Sequence, residues 1–201
     1  MKTKTLLATA MLVCLSLTGC GGGGYVAIDD EPVAVARPTD EYLTHPTISG
    51  LEYFNSVTGS ESHLTTAGGR YTGYTGGDSV TFVLGDILLF TMPGELTHPY
   101  SSLYEANRYS VSTLYSDTAV ENLMAFLMAI DDDGDYTNGI QIAYPVRVAA
   151  RGMHVNFNQS AFNFRADPNV QFATAVLSGN TLFGPRPLVS PGAAAFALQA
   201  P

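Results

Sequence analysis

Ten consecutive residues, Thr81 to Phe90, are mostly β-branched, aliphatic or aromatic and carry a single charge, at Asp86. Gly85-Asp86 divides this run into two candidate strands, and a glycine at the first position of a two-residue turn supplies the positive φ that a type II′ hairpin needs. A hairpin of this composition would aggregate if it were left exposed. The chain must therefore fold so that another layer covers these strands.

Residues 117–130 are the segment that we expect to pack over these two strands. Ser116 or Asp117 can cap the N-terminus of a helix there. Apolar residues follow at spacings of three and four, which predicts a helix with one apolar face; they are Val120, Leu123, Met124, Leu127 and Ile130. A partner-binding groove is the alternative use of such a face, but packing against the core is the more common one.

The remaining segments favour an α+β fold. Residues 48–90 form short β-rich stretches between glycine turns, and residues 139–143 and 146–150 also suggest strands, separated by Pro145. Asp167-Pro168 and Ser190-Pro191 each place a capping residue before a proline, which is typical of a helix start. We predict a small antiparallel β-sheet of hairpins covered by one main helix and followed by short C-terminal helices.

The N-terminus has the zones of a secreted lipoprotein precursor. Lys2 and Lys4 precede the uncharged, mostly apolar stretch Leu6–Leu17, which is shorter than the roughly 20 residues of a spanning helix but suits a signal peptide. Leu17-Thr18-Gly19-Cys20 is typical of a bacterial lipobox, in which the cysteine takes a diacylglycerol before cleavage. Residues 1–19 are therefore predicted to be a lipoprotein signal peptide and Cys20 the lipidation site; an ordinary signal with a chance cysteine is the alternative.

Acylation of Cys20 has consequences for location and fold. Acyl chains such as palmitate contribute about 0.8 kcal/mol per buried CH₂, so two or more anchor a protein stably in a membrane. Gly21 follows the cysteine where inner-membrane lipoproteins tend to have aspartate, which favours the outer membrane and leaves its periplasmic and surface faces both open. Cys14 leaves with the signal, so no disulfide can form and the fold depends on its core.

The rest of the chain divides into a linker and a single domain. Residues 20–47 contain the glycine tetrad Gly21–Gly24 and several prolines, which predicts a flexible linker. The domain is predicted over residues 48–201, with a β-rich part at 48–90, the helix at 117–130, an acidic loop at 131–139 and a mixed part at 140–201.

Charge limits the partners of the mature chain. Without residues 1–19 it has seven arginines, no lysine and 18 acids, which gives a formal net charge of −11. Such a surface repels nucleic acid and favours cations or neutral ligands.

The acidic loop is a candidate calcium site. Asp131, Asp133, Asp135 and Asn138 follow the C-terminus of the predicted helix, where the helix dipole makes carboxylates unfavourable. Calcium binds six to eight oxygens, and these side chains with the Thr137 carbonyl could supply several, although the spacing is not that of an EF-hand. A solvated acidic loop without metal is the alternative.

Four tyrosines between the hairpin and the helix are a candidate partner-binding surface: Tyr100, Tyr104, Tyr109 and Tyr115. Exposed tyrosines give rigid amphipathic contact area, and their rings also stack on sugars. The expected partner is a glycan or an envelope protein. Alternatively, these tyrosines are rim residues of the core.

Catalytic patterns are missing from the sequence. It has no Gly-x-Ser-x-Gly elbow, no His-Glu-x-x-His and no phosphate-binding glycine loop, and its four histidines lack metal-ligand spacing. The prediction is therefore a membrane-anchored lipoprotein that is not an enzyme and acts as a binding or structural module, with calcium as the one candidate cofactor. A cell-envelope hydrolase with an unrecognised active site is the alternative.

Three stretches over about residues 48–198 resemble a family of bacterial secreted lipoproteins and adhesin-like modules of mostly unassigned function. In the family, the first stretch has the pattern Gly-x-x-Tyr, then Gly-x-Phe-x-Tyr, then Val-x-Phe-x-Ile-Gly. This chain has Gly50–Tyr53, Gly69–Tyr74 and Val80–Gly85 in that order, with Tyr71 in place of the phenylalanine. The second is Asn122–Leu127 running into Asp131–Asp135 and Asn138–Ile140, and the third comprises Asp167–Val170 and Leu188–Ser190. The resemblance implies a surface lipoprotein module and no particular chemistry.

Overall fold

The computed structural model describes residues 35–76, 79–96, 100–108 and 112–199. The strands are β1 Pro38–Thr44, β2 Ile48–Ser49, β3 Glu52–Asn55, β4 Ser62–Leu64, β5 Arg70–Tyr74, β6 Ser79–Leu84, β7 Ile87–Pro93, β8 Tyr100–Ser102 and β9 Ile140–Gln141. The helices are α1 Leu103–Ala106, α2 Asp117–Ile130, α3 Tyr144–Ala149, α4 Ala161–Ala166, α5 Pro168–Ser178 and α6 Pro191–Ala197.

The apolar run forms the predicted hairpin. β6 and β7 pair antiparallel, with Leu84 opposite Ile87, so that Gly85-Asp86 is the two-residue turn. Gly85 has φ +55°, and a Cβ at that position would lie 2.8 Å from the Ala150 carbonyl carbon. The glycine is therefore required both by the turn and by the close approach of the chain after α3.

The strands belong to three small sheets. The largest has the order β4-β3-β6-β7 and is antiparallel throughout. In the second, of order β5-β1-β8, β1 is antiparallel to β5 and parallel to β8, and in the third β2 and β9 are parallel. The predicted α+β class with an antiparallel sheet is confirmed. The two further sheets, which contain parallel pairs, arise because long connections bring strands that are distant in sequence side by side.

The interior of the largest sheet is aromatic. The Phe82 and Phe90 rings stack at 4.6 Å between centroids, and the Tyr71 ring meets Phe82 edge-on at 5.1 Å. Tyr53 packs on Phe82 at 5.8 Å, so that Phe82 contacts aromatic rings from three other strands. Such pairs add to the stabilisation that burial alone provides.

Helix α2 has the predicted bounds, and the Ser116 hydroxyl caps it by accepting from the Ala119 amide at 3.2 Å. Every residue from Asn122 to Ile130 is buried, so the helix is enclosed on all sides rather than on one face. The extra cover comes from the C-terminal helices α4, α5 and α6, which pack against it. Its buried amide, Asn122, donates to the carbonyls of Phe157 and Gln159 at 3.0 and 2.9 Å.

Two expectations about segment boundaries were wrong. The predicted linker at residues 20–47 includes β1, which is a central strand with Leu43 and Glu41 buried, so the domain begins before Pro38 rather than at residue 48. The predicted strand at residues 146–150 is part of helix α3, which Pro145 starts at its first turn. The helix starts at Asp167-Pro168 and Ser190-Pro191 are confirmed by α5 and α6.

Within the described ranges, no helix has the length and apolar character needed to cross a membrane.

Replacing Phe82 by alanine should show how much the aromatic core of the hairpin contributes to the stability of the fold. Phe82→Ala should lower the free energy of unfolding by about 3–5 kcal/mol, because it deletes a fully buried aromatic side chain and leaves a cavity. Leu88→Ala, on the partner strand but 46% exposed, should lower it by less than about 1 kcal/mol. Urea denaturation measures both, and equal losses would contradict a core centred on Phe82.

Candidate functional site

The first residue after α2, Asp131, has a fully buried side chain. Its Oδ1 accepts from the Gln141 amide at 2.8 Å, while its Oδ2 is buried without a hydrogen-bond partner among the described residues. Burial raises the pKa of this carboxyl to about 6, and the negative charge of Asp133 adds to the rise, whereas the Gln141 amide and Arg186 oppose it. The carboxyl therefore holds its proton at pH values where an ordinary aspartate is ionised.

The carboxylates of Asp133 and Asp135 accept hydrogen bonds from other residues of the same region. Asp133 accepts from the Asn138 side-chain amide at 2.9 Å and from the Gln141 side chain at 3.2 Å. The Asn138 side-chain amide first, and the Asp135 backbone amide second, lower the pKa of Asp133. Asp135 accepts from the Thr137 amide at 3.1 Å. The loop is therefore stabilised by its own hydrogen bonds.

The structure gives the calcium prediction no further support. Asp133, Asp135 and Asn138 lie in one small loop, but Asp131 faces the interior. In the described part of the chain, no group of three or more histidine, cysteine, aspartate or glutamate side chains is arranged to hold a metal ion. Calcium binding by these residues stays a prediction.

A distant arginine supplies the positive charge that the end of α2 needs. The Arg186 Nη2 donates to the Asp131 carbonyl oxygen, and the Arg186 guanidinium lies 4.7 Å above the Phe183 ring. The same segment is tied to the loop by the amides of Leu182 and Phe183, which donate to Asp132 at 2.9 and 3.0 Å. A cation at a helix C-terminus is stabilising, so this contact offsets the unfavourable acids.

Arg186 also borders a cavity of about 510 Å³ beside helix α5. The cavity is lined by Arg165, Gln171, Thr174, Ala175, Ser178, Pro185, Arg186, Pro187 and Leu188. Two of these nine residues are cationic, and none carries a carboxyl, an imidazole or a thiol group. The local charge is therefore positive although the protein as a whole is strongly acidic.

Arg165 is held at the cavity by the chain that follows α5. Its Nη1 donates to the Leu188 carbonyl at 3.4 Å, and its Nη2 donates to the Val189 carbonyl. Burial lowers the pKa of this guanidinium because water no longer solvates its charge fully. Carbonyl oxygens accept from Arg165 but supply no full negative charge.

Three polar atoms that belong to residues of the cavity lining are buried and have no hydrogen-bond partner among the described residues. They are the Nε of Arg165, the Nε of Arg186 and the Oγ1 of Thr174, a residue that is only 4% exposed. An unpaired buried polar group costs about 1–3 kcal/mol.

The predicted tyrosine surface is only partly described. Tyr104 is half-buried, and its hydroxyl donates to Glu121 of α2 at 3.5 Å; burial first and Glu121 second raise its pKa. Tyr115 is exposed. Tyr109 and Cys20 lie outside the described residues, and for Tyr100 only the backbone, the start of β8, is described. Partner binding by the four tyrosines stays a prediction.

Sequence reasoning missed Arg165, Thr174 and Arg186. The available signal was the scarcity of cations in the sequence, together with the pattern Pro185-Arg186-Pro187, in which the two prolines restrict the backbone around an arginine.

Comparisons with protein-family models, with curated proteins and with solved structures find no match for this chain. The resemblance to secreted lipoproteins stays a prediction.

The buried Asp131 carboxyl predicts a specific pH dependence. Its pKa of about 6 in the folded state lies above the ordinary value of 3.8, so the folded protein binds more protons than the unfolded chain between these values. Stability from this group is therefore complete below about pH 4 and is lost as the pH rises to 6. Asp131→Asn, which keeps the acceptor for Gln141, should abolish this loss.

Denaturant unfolding at pH 4, 5, 6 and 7 measures the effect. Relative to the natural protein, Asp131→Asn should gain on the order of 1–2 kcal/mol between pH 4 and 6 and little above that. Glu61→Gln, which changes an exposed acid before β4, is the control and should show no such gain. A pH-independent difference for Asp131→Asn would mean that the carboxyl is ionised throughout this range.

Proposed function

We propose that this chain is a membrane-anchored bacterial lipoprotein of the cell envelope that acts as a non-catalytic binding module, with the cavity beside α5 as its ligand site. The observation that carries the proposal is the pair of arginines, Arg165 and Arg186, that border one cavity whose lining residues include no carboxylate. The cavity is within the size range of small-molecule sites, which is about 300–1,000 Å³.

The lining favours binding over catalysis. Ser178 is the one hydroxyl other than Thr174 among its residues, and the backbone of Arg186 occupies it: the Arg186 amide donates to the Ser178 Oγ at 3.1 Å, and the Ser178 Oγ donates to the Arg186 carbonyl at 3.4 Å. No lining residue could act as a general base toward either hydroxyl, because none has a carboxylate or an imidazole. This supports a module that binds a ligand without changing it.

The charges select an anionic ligand. A partly buried guanidinium without a counter-ion loses solvation that only an anion or strong acceptors can replace. Net charge determines long-range attraction, but contacts within a cavity depend on the groups that border it. The acidic surface, which favours cationic or neutral ligands at long range, therefore does not prevent the cavity from binding an anion.

The anchor is the predicted lipid on Cys20. The described residues begin at residue 35, and the sequence after Cys20 begins with the glycine tetrad Gly21–Gly24. Such a segment would separate the lipid from the domain and leave the cavity accessible. Gly21 next to the lipidated cysteine favours the outer membrane.

Lipidation should depend on one of the two cysteines. Cells that express the natural chain and are fed a labelled palmitate should incorporate the label, and Cys20→Ser should abolish incorporation and release the protein from the membrane pellet. Cys14→Ser, the matched control within the predicted signal, should retain the label. Label that persists in Cys20→Ser, or a natural protein that stays in the aqueous fraction, would contradict the anchor.

Anion binding at the cavity is tested separately. The mature chain with Cys20→Ser contains the whole folded unit, and titration with sulfate or acetate should shift the NMR signals of the Arg165 and Arg186 side-chain N–H groups. Arg165→Gln should weaken the response about tenfold or more. Arg151→Gln removes an exposed arginine that does not line the cavity and should leave the response unchanged. Equal responses in the two variants would contradict the site.

A further inference from the structure

We infer that the protein has a second ligand site, a cleft between the start of α2 and the start of α4 that binds a neutral sugar unit of an oligosaccharide. The cleft has a volume of about 510 Å³, which is within the range of small-molecule sites. It shares no lining residue with the cavity beside α5. The inference therefore goes beyond the proposed function and does not depend on it.

The lining of the cleft is polar and almost uncharged. Of its eight residues, seven carry a polar group on the side chain, and Glu121 is the one that carries a charge. The uncharged polar side chains besides the Tyr115 phenol are three aliphatic hydroxyls and two amides, those of Ser116, Thr118, Ser160, Asn158 and Gln159. No lining side chain would balance an anion, and one carboxylate is too few for a calcium ion. A neutral ligand with many hydrogen-bonding groups fits this lining best.

Hydrogen bonds hold the two sides of the cleft together. The Asn158 Oδ1 accepts from the Tyr115 amide at 2.8 Å, and the Asn158 Nδ2 donates to the Thr113 carbonyl at 2.8 Å. The buried Asn122 side chain of α2 donates to the Gln159 carbonyl at 2.9 Å. The chain before α2 is thereby joined to the chain before α4, so that binding would not have to order either segment.

The polar groups of the cleft include both donors and acceptors. The hydroxyls of Ser116 and Ser160 each accept one helix amide at 3.2 Å, and neither hydroxyl donates to a described residue. Both residues are exposed. The Glu121 carboxylate accepts from the Tyr104 hydroxyl at 3.5 Å through Oε1 and has Oε2 left to accept from a ligand. Each sugar hydroxyl can donate and accept, so sugar hydroxyls match such a mixed set.

The ring of Tyr115 gives the cleft an aromatic surface. Tyr115 is 79% exposed, and its backbone is fixed by the hydrogen bond from its amide to Asn158. The face of an aromatic ring carries partial negative charge, which attracts the C–H groups on the face of a pyranose ring. An exposed ring beside neutral hydrogen-bonding groups therefore favours a sugar.

A basic peptide is the rival ligand, because a cation could contact both the Tyr115 ring and Glu121. The lining favours the sugar, since five of its other polar side chains are uncharged and give a cation no balancing charge. Glu121 also already accepts a hydrogen bond from Tyr104.

NMR titration of the mature chain with Cys20→Ser tests the inference, with maltotriose and chitotriose as neutral probes and trigalacturonate as the anionic probe. At least one neutral trimer should shift the side-chain amide signals of Asn158 and Gln159 and leave that of Asn180, outside the cleft, unchanged. Trigalacturonate should bind at least about fivefold more weakly, because Glu121 repels it. If neither neutral trimer shifts these two signals, or if trigalacturonate binds more tightly, the inference is overturned.

Substitutions of Tyr115 test the aromatic contact. Tyr115→Ala should weaken binding of the neutral trimer about fivefold or more, and Tyr115→Phe, which keeps the ring, should stay within about twofold of the natural protein. Tyr144→Ala removes a tyrosine that is 69% exposed but lies outside the cleft, and it should have no effect. Since both tyrosines are exposed, the melting temperature should change little. Equal affinities for Tyr115→Ala and Tyr144→Ala would overturn the sugar assignment.

Triarginine is the probe that separates the sugar from the basic peptide. Glu121→Gln removes the charge and keeps the shape, so it should change the affinity for the neutral trimer by less than about threefold. Triarginine that binds more tightly than both neutral trimers, and loses its binding in Glu121→Gln, would overturn the sugar in favour of a peptide. Arg165→Gln should leave sugar binding unchanged, so failure of the cleft is distinguishable from failure of the cavity beside α5.

Discussion

The carbonyl end of helix α2 requires positive charge, and Arg186 provides it. Every residue of the helix from Asn122 onward is buried, so its C-terminal carbonyls cannot rely on water. The acids that follow increase the negative potential there. The hydrogen bond from Arg186 to the Asp131 carbonyl joins residues 55 positions apart and brings the segment after α5 against the helix end. Both the acidic loop and the cavity depend on this contact.

The same contact determines what kind of site the protein can have. Because Arg186 donates to a carbonyl rather than to a carboxylate, its charge is not neutralised by a salt bridge at that position. Burial raises the pKa of the neighbouring Asp131 carboxyl to about 6, so the negative charge that Arg186 meets there decreases as the pH falls toward and below that value. The arginine therefore stabilises the helix end and still contributes positive charge to the cavity.

Local patterns in the sequence were sufficient for the elements that form locally. Gly85-Asp86 predicted the hairpin, the spacing from Val120 to Ile130 predicted α2, and the capping residues before Pro168 and Pro191 predicted α5 and α6. These predictions succeeded because turn geometry and helix capping depend on a few neighbouring residues. The candidate site could not be predicted in the same way.

The missed features all depend on contacts between distant residues. β1 reads as a linker because Pro38 and its acids suggest exposed chain, but pairing with β5 and β8 makes it a central strand. For the acidic loop, the nearest arginine in sequence is Arg147, whereas the arginine that contacts the loop is Arg186. Arg147 instead donates to the carbonyls of Gly50 and Ile142. The positions of Arg147 and Arg186 in the sequence do not indicate which of them contacts the acidic loop.

The domain satisfies some buried polar groups fully and leaves single atoms of others without a partner. In the sheet, the buried carboxyl of Glu41 accepts from the Tyr71 hydroxyl at 2.9 Å and from Thr39 at 3.1 Å, even though burial raises its pKa. Around α5, by contrast, the guanidinium Nε atoms of Arg165 and Arg186 have no partner. Buried atoms without a partner also occur away from the cavity, as at the Ser101 Oγ in β8, so they do not by themselves distinguish a binding site. What distinguishes the cavity beside α5 is that two arginines border it while none of its lining residues carries a carboxylate.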